Sequence, residues 1–266
     1  ARGCNSFGTQ CFSGAAAGAD ANAEVNALLG LAPSLTQTPA AAFTVRGPGS
    51  FDPGGARFVN VGAQGIALNT GGPVAPAPTL SGPAGTPTTG AINPLLATDD
   101  ASLSALTTSG GLSRGEMMFL ALFGMPPAAY RLQPAVVRLS CTEDCATTLQ
   151  LAANAHPGQV LWIDGDLVLG AAADLNLGSN ALPVILVVNG NLDFAAGSNV
   201  NIQGLVYSRG TEWTAAGAAT VTGAFIAEGN PLAGADEGSF SIVGSPVVAF
   251  GDSAVDHLNK VRARQV

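Results

Sequence analysis

Hydrophobic positions in the second half of the chain follow a strand-like pattern that recurs about every 20 residues, a period typical of repeat architectures. Each copy contains a hydrophobic strand, a glycine turn and a second strand, and a further glycine follows. The first glycine column comprises Gly165, Gly190, Gly210, Gly229 and Gly251, and the second comprises Gly178, Gly204, Gly223 and Gly244. Because the two columns advance in step, we expect a turn at the same corner of every coil.

Alternation within the copies indicates which side chains face a shared core. Leu175 and Leu177 flank Asn176, and Val200 and Ile202 flank Asn201. Such alternation places the apolar side chains inside and the polar ones outside. The sequence therefore predicts a mainly β protein with a short parallel β-solenoid, or β-helix, of about 4–5 coils in its C-terminal half.

The first half of the chain has a less regular pattern, which predicts an irregular α+β region. Residues 19–31 indicate a short helix, residues 42–70 indicate short strands, and residues 71–94 are a Pro- and Gly-rich connection. Asp99 and Asp100 suit the first turn of a helix, and further helices are predicted over 113–123, 126–131 and 144–154. The expected organisation is 1–112 for the N-terminal helix, strands and connection, 113–158 for a helical cap, 159–254 for the solenoid and 255–266 for a C-terminal tail with a short helical pattern.

Composition narrows the classes of partner. The chain has 35 Gly, 17 Pro, 11% charged residues, a single lysine at Lys260 and a net charge of −8. A chain without a basic surface is poorly suited to nucleic acid or to anionic lipid. Because no run of about 18 apolar residues occurs, we expect no membrane insertion by the present chain.

Four cysteines fall into two close pairs, Cys4 with Cys11 and Cys141 with Cys145. Local disulfides would suit an oxidising, extracellular compartment, whereas a shared metal site is the alternative. The spacings are not CxxC, and the chain has only two histidines, His156 and His257. We therefore favour two disulfides and expect no metal site and no cofactor.

Short polar side chains follow the first glycine column at Asp166, Asn191, Thr211, Asn230 and Asp252. A row of calcium ligands is one interpretation. Because the Gly-Gly-x-Gly-x-Asp repeat is absent, we favour a ladder in which these side chains accept hydrogen bonds from local backbone groups.

Carboxylates and aromatic side chains give the candidates for chemistry. An acid–base role would draw on Asp164, Asp166, Asp193, Glu212 and Glu228, but Asp164, Asn189, Arg209 and Glu228 form a variable column just before the glycines, which does not indicate a cleft. A sugar-binding platform would need two of Trp162, Trp213, Tyr130 and Tyr207 on one exposed face, and core packing is the favoured alternative. No Gly-x-Ser-x-Gly or phosphate-loop motif occurs. We expect no catalytic residues.

Several segments resemble PilX-type pilus assembly proteins, which accompany bacterial type IV pili. The resemblance rests on the sequences at 162–167, 187–192, 202–207 and 224–230, and on the helical stretch 119–131. It covers about half of the chain, and the long apolar N-terminal helix of pilin-like subunits is not part of this sequence.

This resemblance implies an extracellular or cell-surface bacterial protein that is not an enzyme. The implied function is that of a structural or adhesive subunit of a pilus or fibre, whose partners are other copies of itself or other pilus subunits, with a surface or glycan ligand as a further possibility. The alternative is a carbohydrate-binding or carbohydrate-degrading β-helix protein.

Overall fold

The structure, a computed structural model, describes residues 2–6, 19–24, 31–62, 66–86, 93–141, 143–229, 238–250 and 257–265. The strands before the helices are β1 (Arg2–Ser6), β2 (Ala19–Glu24), β3 (Leu31–Pro33), β4 (Ala41–Val45), β5 (Gly49–Phe51), β6 (Arg57–Asn60), β7 (Ile66–Thr70), β8 (Thr79–Ser81) and β9 (Leu96–Ala97). The helices are α1 (Ala101–Ser104), α2 (Arg114–Phe123), α3 (Pro127–Tyr130) and α4 (Ala146–Ala155), and β10 (Val136–Leu139) lies between α3 and α4. The remaining strands are β11 (Val160–Ile163), β12 (Leu167–Leu169), β13 (Asp174–Leu177), β14 (Val184–Val188), β15 (Leu192–Phe194), β16 (Asn199–Ser208), β17 (Glu212–Ala215), β18 (Ala218–Ala227), β19 (Phe240–Gly244), β20 (Val247–Phe250) and β21 (Arg262–Gln265).

Parallel strands stack in three rows, which confirms the prediction of a mainly β protein with parallel sheets. The first row is β10, β11, β14, the C-terminal half of β16, the C-terminal half of β18, β4, β7 and β9. The second row is β12, β15, β17, β19 and β5. The third row is β13, the N-terminal half of β16, the N-terminal half of β18, β20, β6 and β8. One strand from each row makes a layer, and the first layer is β11, β12 and β13.

The N-terminal strands are not an irregular region, because they extend the rows that the C-terminal strands begin. Strand β4 pairs with β18, β5 with β19 and β6 with β20, all in parallel. The stacking order therefore places β4, β5 and β6 after β18, β19 and β20. Strand β20 completes the third row of the fourth layer, and β4, rather than a segment near the C-terminus, supplies the first-row strand of the fifth layer.

The interior between the rows contains a stack of aromatic rings that crosses this junction. Trp213 stacks on Phe225 at 4.8 Å, Phe225 on Phe43 at 5.0 Å, and Phe43 on Phe58 at 4.6 Å between ring centroids. Stacked and tilted aromatic pairs add to the stabilisation that their buried area provides. The N-terminal and C-terminal strands thus share one core.

Helix α2 covers the outer side of the first row, which explains why strands such as β11 and β14 are buried on both faces. Phe119 and Phe123 pack against Tyr207 at 5.2 and 5.4 Å, and Phe119 also contacts Trp162. The predicted helices over 113–123, 126–131 and 144–154 are confirmed as α2, α3 and α4, with boundary differences of a few residues.

The cap predicted over 113–158 is divided between two places. Helix α4 lies beside β13, where Gln150 hydrogen-bonds the backbone of Asn176 in both directions. It therefore occupies the position next to the first layer, as a cap should. Helix α2 instead reaches the fourth layer, where Gly115 contacts Glu228.

The helix prediction near the N-terminus is wrong, and the short helical pattern predicted for the tail is confirmed over four residues only. Residues 19–24 form strand β2, which pairs antiparallel with β1, rather than the start of a helix over 19–31. The tail forms a short 3-10 helix at His257–Lys260 and then strand β21, which pairs antiparallel with β3. In both segments the local helix preference yields to backbone pairing with a segment distant in sequence. Among the described residues, no helix has the length and apolarity needed to cross a bilayer.

The Cys141–Cys145 disulfide is present, with a Cα–Cα distance of 5.4 Å, and it links the end of β10 to the start of α4. Cys11 lies outside the described residues, so the pairing of Cys4 with Cys11 stays a prediction.

Candidate functional site

The first glycine column lies at the corner between the first and second rows. Gly165 has a φ of +119° and Gly229 a φ of +58°, whereas Gly190 and Gly210 do not adopt a positive φ. The need for glycine at Gly190 and Gly210 comes from close approach between layers. A Cβ on Gly190 would overlap Asp166, and one on Gly210 would overlap the carbonyl oxygen of Gly190. Gly251 lies outside the described residues.

The second glycine column does not occupy a single corner. Gly204 and Gly223 pair with each other where β16 and β18 bend from the third row into the first, with φ of +144° and +138°. Gly178, with a φ of +72°, lies close to the same bend. Gly244 pairs with Ala215 at the end of the second row, so it belongs to a different corner.

Two of the polar residues after the first glycine column form the hydrogen-bond ladder that the sequence predicts. Asp166 Oδ1 accepts from the backbone N–H of Asn191 at 2.8 Å, and Asn191 Oδ1 accepts from the backbone N–H of Thr211 at 2.8 Å. Each side chain therefore fastens the turn of the next layer. Asn230 and Asp252 lie outside the described residues.

The column just before these glycines holds the main cluster of charged groups. Asn189, Arg209 and Glu228 each follow a first-row strand directly, and Arg46 follows β4 in the same way. Parallel stacking in register places such equivalent positions next to each other, layer upon layer. The sequence pattern does not predict Arg46 in this column, because residue 46 lies in the N-terminal region that is expected to be separate from the repeat.

Glu228 lies at the centre of this cluster and is 0% exposed. Its carboxylate accepts hydrogen bonds from Arg209 Nε at 2.9 Å and from the Tyr207 hydroxyl at 3.1 Å. Arg209 Nη1 donates to Asn189 Oδ1 at 2.6 Å. Arg46, which is 3% exposed, donates from Nε to the backbone carbonyl of Glu228 at 2.8 Å.

The N-terminal turn of helix α2 packs against the cluster through Gly115 and Glu116. Ser113 and Glu116 form a capping box in which the Ser113 N–H donates to Glu116 Oε2 and the Glu116 N–H donates to Ser113 Oγ. This box fixes Glu116 with its Oε1 at 3.9 Å from Arg209 Nη2. Gly115 lies so close to Glu228 that a Cβ would overlap the carboxylate.

The protonation of the cluster follows from its burial. Burial raises the pKa of Glu228, and the positive charge and hydrogen bonds of Arg209 oppose this only in part. Burial lowers the pKa of Arg209, but the charge and hydrogen bonds of Glu228, together with the charges of Tyr207 and Glu116, raise it by more, so the net direction is upward. Burial and the charge of Glu228 raise the pKa of the Tyr207 hydroxyl well above its usual value, so the hydroxyl stays a donor.

Chemically, this arrangement fastens elements together rather than presenting a reactive group. The Glu228 carboxylate already has side-chain donors on both of its oxygens, and neither oxygen reaches solvent. A general acid or base needs to reach the proton that it transfers. The cluster instead links β18 to β16, to β4 through Arg46, and to α2 through Glu116.

The other carboxylates considered for acid–base chemistry occupy separate environments. Asp164 accepts from Arg131 at 3.0 Å, from Arg138 at 2.8 Å and from Trp162 Nε1 at 2.9 Å. Asp193 and Glu212 are exposed on the second row, where Glu212 accepts from the Thr214 hydroxyl.

The aromatic residues considered for sugar binding are all buried, which agrees with the core-packing interpretation. Trp162, Trp213, Tyr130 and Tyr207 have no more than 1% of their surface exposed. Trp213, for example, lies between Phe194 and Phe225. These four side chains therefore present no platform at the surface.

A cavity of about 250 Å³ lies between the end of α4 and the loop after β13. Asn154, His156 and Gln159 contribute polar groups to it. No Asp or Glu occurs among the described residues that line it, so it lacks the carboxylate pair that glycoside hydrolysis requires. Within the described part of the chain, no group of three or more His, Cys, Asp or Glu residues is placed to hold a metal ion.

No family model, no curated protein and no solved structure matches this chain.

Proposed function

We propose that the chain is a non-enzymatic structural or adhesive subunit of an extracellular bacterial pilus or fibre, and that the three rows form a parallel β-solenoid. The observation that carries this proposal is the continuous parallel pairing of strands from both halves of the chain, from β10 through β9 in the first row. A body built from backbone ladders is stiff and quasi-one-dimensional, which suits a load-bearing element.

The charged groups support the same proposal. Glu228, Arg209 and Arg46 are used in holding layers and α2 together, and Asp166 and Asn191 are used in fastening turns. Because these polar side chains bond to groups of the protein itself, they favour a structural role over a catalytic one. The Cys141–Cys145 disulfide is in keeping with an oxidising, extracellular location.

Assembly with other copies or with other pilus subunits would be the protein's activity. Both ends of the stack have short strands, β10 at one end and β8 and β9 at the other. Strand edges of this kind need a cap or a partner.

Negative-stain microscopy of native material tests the proposal. We expect regular fibres, or the protein attached to fibres, and no release of reducing or unsaturated sugars from a polysaccharide panel. Dispersed monomers that release sugars, with the release abolished in Glu212→Gln or Asp193→Asn, would replace this proposal with a carbohydrate-degrading function.

A further inference from the structure

The outer side of the third row is a broad sheet face whose charges have a self-complementary arrangement. Six strands contribute to it, and exposed or half-exposed residues alternate with buried ones along them. The outward residues are Asp174, Asn176, Asn199, Asn201, Gln203, Ala218, Thr220, Thr222, Val247, Ala249, Arg57, Val59, Thr79 and Ser81. We call this set the third-row face.

Asp174 and Arg57 are the charged members of the third-row face, and they lie towards opposite ends. Asp174 is in β13 of the first layer, and Arg57 is in β6 of the fifth layer. Four strand spacings separate them, which corresponds to roughly 19 Å. Both side chains are exposed, and Arg57 forms no salt bridge among the described residues.

We infer that two copies of this chain pair through the third-row face. A two-fold axis lying in the plane between two such faces reverses the order of layers in the second copy. Asp174 of each copy then lies opposite Arg57 of the other, so one interaction occurs twice, as an isologous interface requires. Asn201, Thr220 and Val247, which are uncharged, lie between the two charge pairs.

The packing geometry is compatible with known sheet contacts. Two β-sheets that pack face to face keep their strands within about 30° of each other. Asp174 lies two residues before Asn176, which is in the column of Arg57, so the two charged residues are also offset by roughly 7 Å along the strands. An axis tilted by roughly 15° from the strand direction makes the strands of the two copies cross at about 30° and brings Asp174 to within roughly 2 Å of the position opposite Arg57. The two sheets therefore meet in an aligned arrangement.

The size of the third-row face sets the strength of the pairing. Six strands at their usual spacing, with two or three outward positions per strand, give on the order of 400 Å² per copy. This is about half of the roughly 800 Å² per partner in a standard interface, so the pair is a weak, concentration-dependent contact. Since its charge pairs lie in solvent, added salt should weaken it.

Sedimentation velocity over a concentration series tests the inference on the full chain. The wild type should shift from monomer to dimer as concentration rises, and Asp174→Arg or Arg57→Asp should each weaken the dimer about tenfold. The double variant carrying both changes restores opposite charges across the axis, so it should dimerise within about threefold of the wild type. Asp193→Arg, which reverses a charge on the second row, should leave the dimer unchanged.

This inference rests on the proposed assembly function, but the two can fail separately. A wild type that stays monomeric, single variants that dimerise as well as the wild type, or a double variant that is not restored would each overturn the pairing through the third-row face. Fibres seen in the microscope in any of those cases would leave the assembly function standing. Circular dichroism of each variant checks that a lost dimer is not a lost fold.

Discussion

At the scale of single residues, the most demanding feature is the cluster of opposite charges around Glu228. Arg46 and Arg209 supply two positive charges, and Glu116 and Glu228 supply two negative ones, so the cluster is neutral as a set. Buried ion pairs gain little net stability over apolar packing, but removal of one partner leaves an uncompensated charge. We therefore expect the cluster to be sensitive to substitution and to pH.

Arg209→Met should destabilise the protein by about 3–5 kcal/mol at neutral pH, because it leaves the Glu228 carboxylate buried without its main partner. The double variant Arg209→Met with Glu228→Gln should recover part of this loss, since no buried carboxylate remains. Urea unfolding of the wild type and the two variants measures both effects. Asp193→Asn, at an exposed position, is the control and should change stability by less than about 0.5 kcal/mol.

The same variant should change the pH dependence of stability. Burial raises the pKa of Glu228, so the folded protein takes up this proton at a higher pH than the unfolded chain does. The stability that Glu228 gains from this proton is therefore fully present below the pKa of Glu228 in the unfolded chain, and it is lost as the pH rises through the pKa of Glu228 in the folded protein. Arg209→Met raises the folded pKa of Glu228 further, so the stability of this variant should fall more steeply than that of the wild type as the pH rises above the usual pKa of a glutamate. Equal slopes in the two proteins would contradict the assigned role of Arg209.

Substitutions at Gly165 and Gly204 distinguish the cost of backbone strain from the cost of a steric clash with a neighbouring layer. Both have positive φ, but a Cβ on Gly204 would overlap the carbonyl oxygen of Val184, whereas a Cβ on Gly165 has open space within 4 Å. Gly165→Ala should cost about 1 kcal/mol for strain alone, and Gly204→Ala should cost about 3 kcal/mol or more. Thermal melts compare them, with Asn201→Val on the third-row face as the strand control. Equal losses would mean that the bend in β16 can relax.

At the scale of elements, α2 shows which features a local pattern can predict. Ser113 followed by Glu116 is a capping-box sequence, and an apolar run follows, so both the start and the burial of the helix could be expected. Gly124, with a φ of +72°, ends it. The docking position on the fourth layer could not be predicted, because it depends on Gly115 meeting Glu228, which is 113 residues later in the chain (228 minus 115).

Replacement of Gly115 by Ala is therefore a test in which helix propensity and packing change the free energy of unfolding in opposite directions. In a free helix, Gly→Ala stabilises by about 1 kcal/mol. Here Gly115→Ala should destabilise the protein, since its methyl group would overlap the Glu228 carboxylate. Ala121→Gly, at an exposed site in the same helix, should cost about 1 kcal/mol and calibrates the propensity term. A stabilised Gly115→Ala protein would show that α2 does not rest on Glu228.

The repeat in the second half of the chain was predictable because consecutive copies are also neighbours in space. The layers of the first half were not, although residues 42–47 read Ala-Phe-Thr-Val-Arg-Gly and residues 224–229 read Ala-Phe-Ile-Ala-Glu-Gly. A search for a fixed period misses this match, since 182 residues separate the two segments (224 minus 42). Arg46 could have been assigned to the column of Arg209 and Glu228 from this alignment alone.

At the scale of the whole molecule, stacking order and chain order differ. In sequence order, the strands of the fifth and later layers come first. Helix α2 then runs along the outer side of the first row, and β10 and the strands of the first four layers follow it. The last layers to be synthesised therefore pair with strands from near the N-terminus. Pairing across such long sequence separation slows folding, because loop closure precedes the contacts that stabilise it.

This order of layers can be tested by linking the two halves of the chain. Val59 in β6 and Ala249 in β20 pair directly and both face outward, so their Cα atoms lie within the range that a disulfide spans. The variant with Val59→Cys and Ala249→Cys should form a disulfide under mild oxidation, which closes a loop of 190 residues (249 minus 59).

Peptide mapping without reduction identifies that link, and the matched control places the second cysteine at Gln203. Gln203 faces outward in the same column as Ala249, but three strand spacings, or roughly 14 Å, separate it from Val59. No disulfide should form at that distance without unfolding. If Val59→Cys links to Gln203→Cys as readily as to Ala249→Cys, the N-terminal strands do not follow β20. If neither pair links while the protein stays folded, the two halves do not share their rows, and the proposed solenoid ends at the fourth layer.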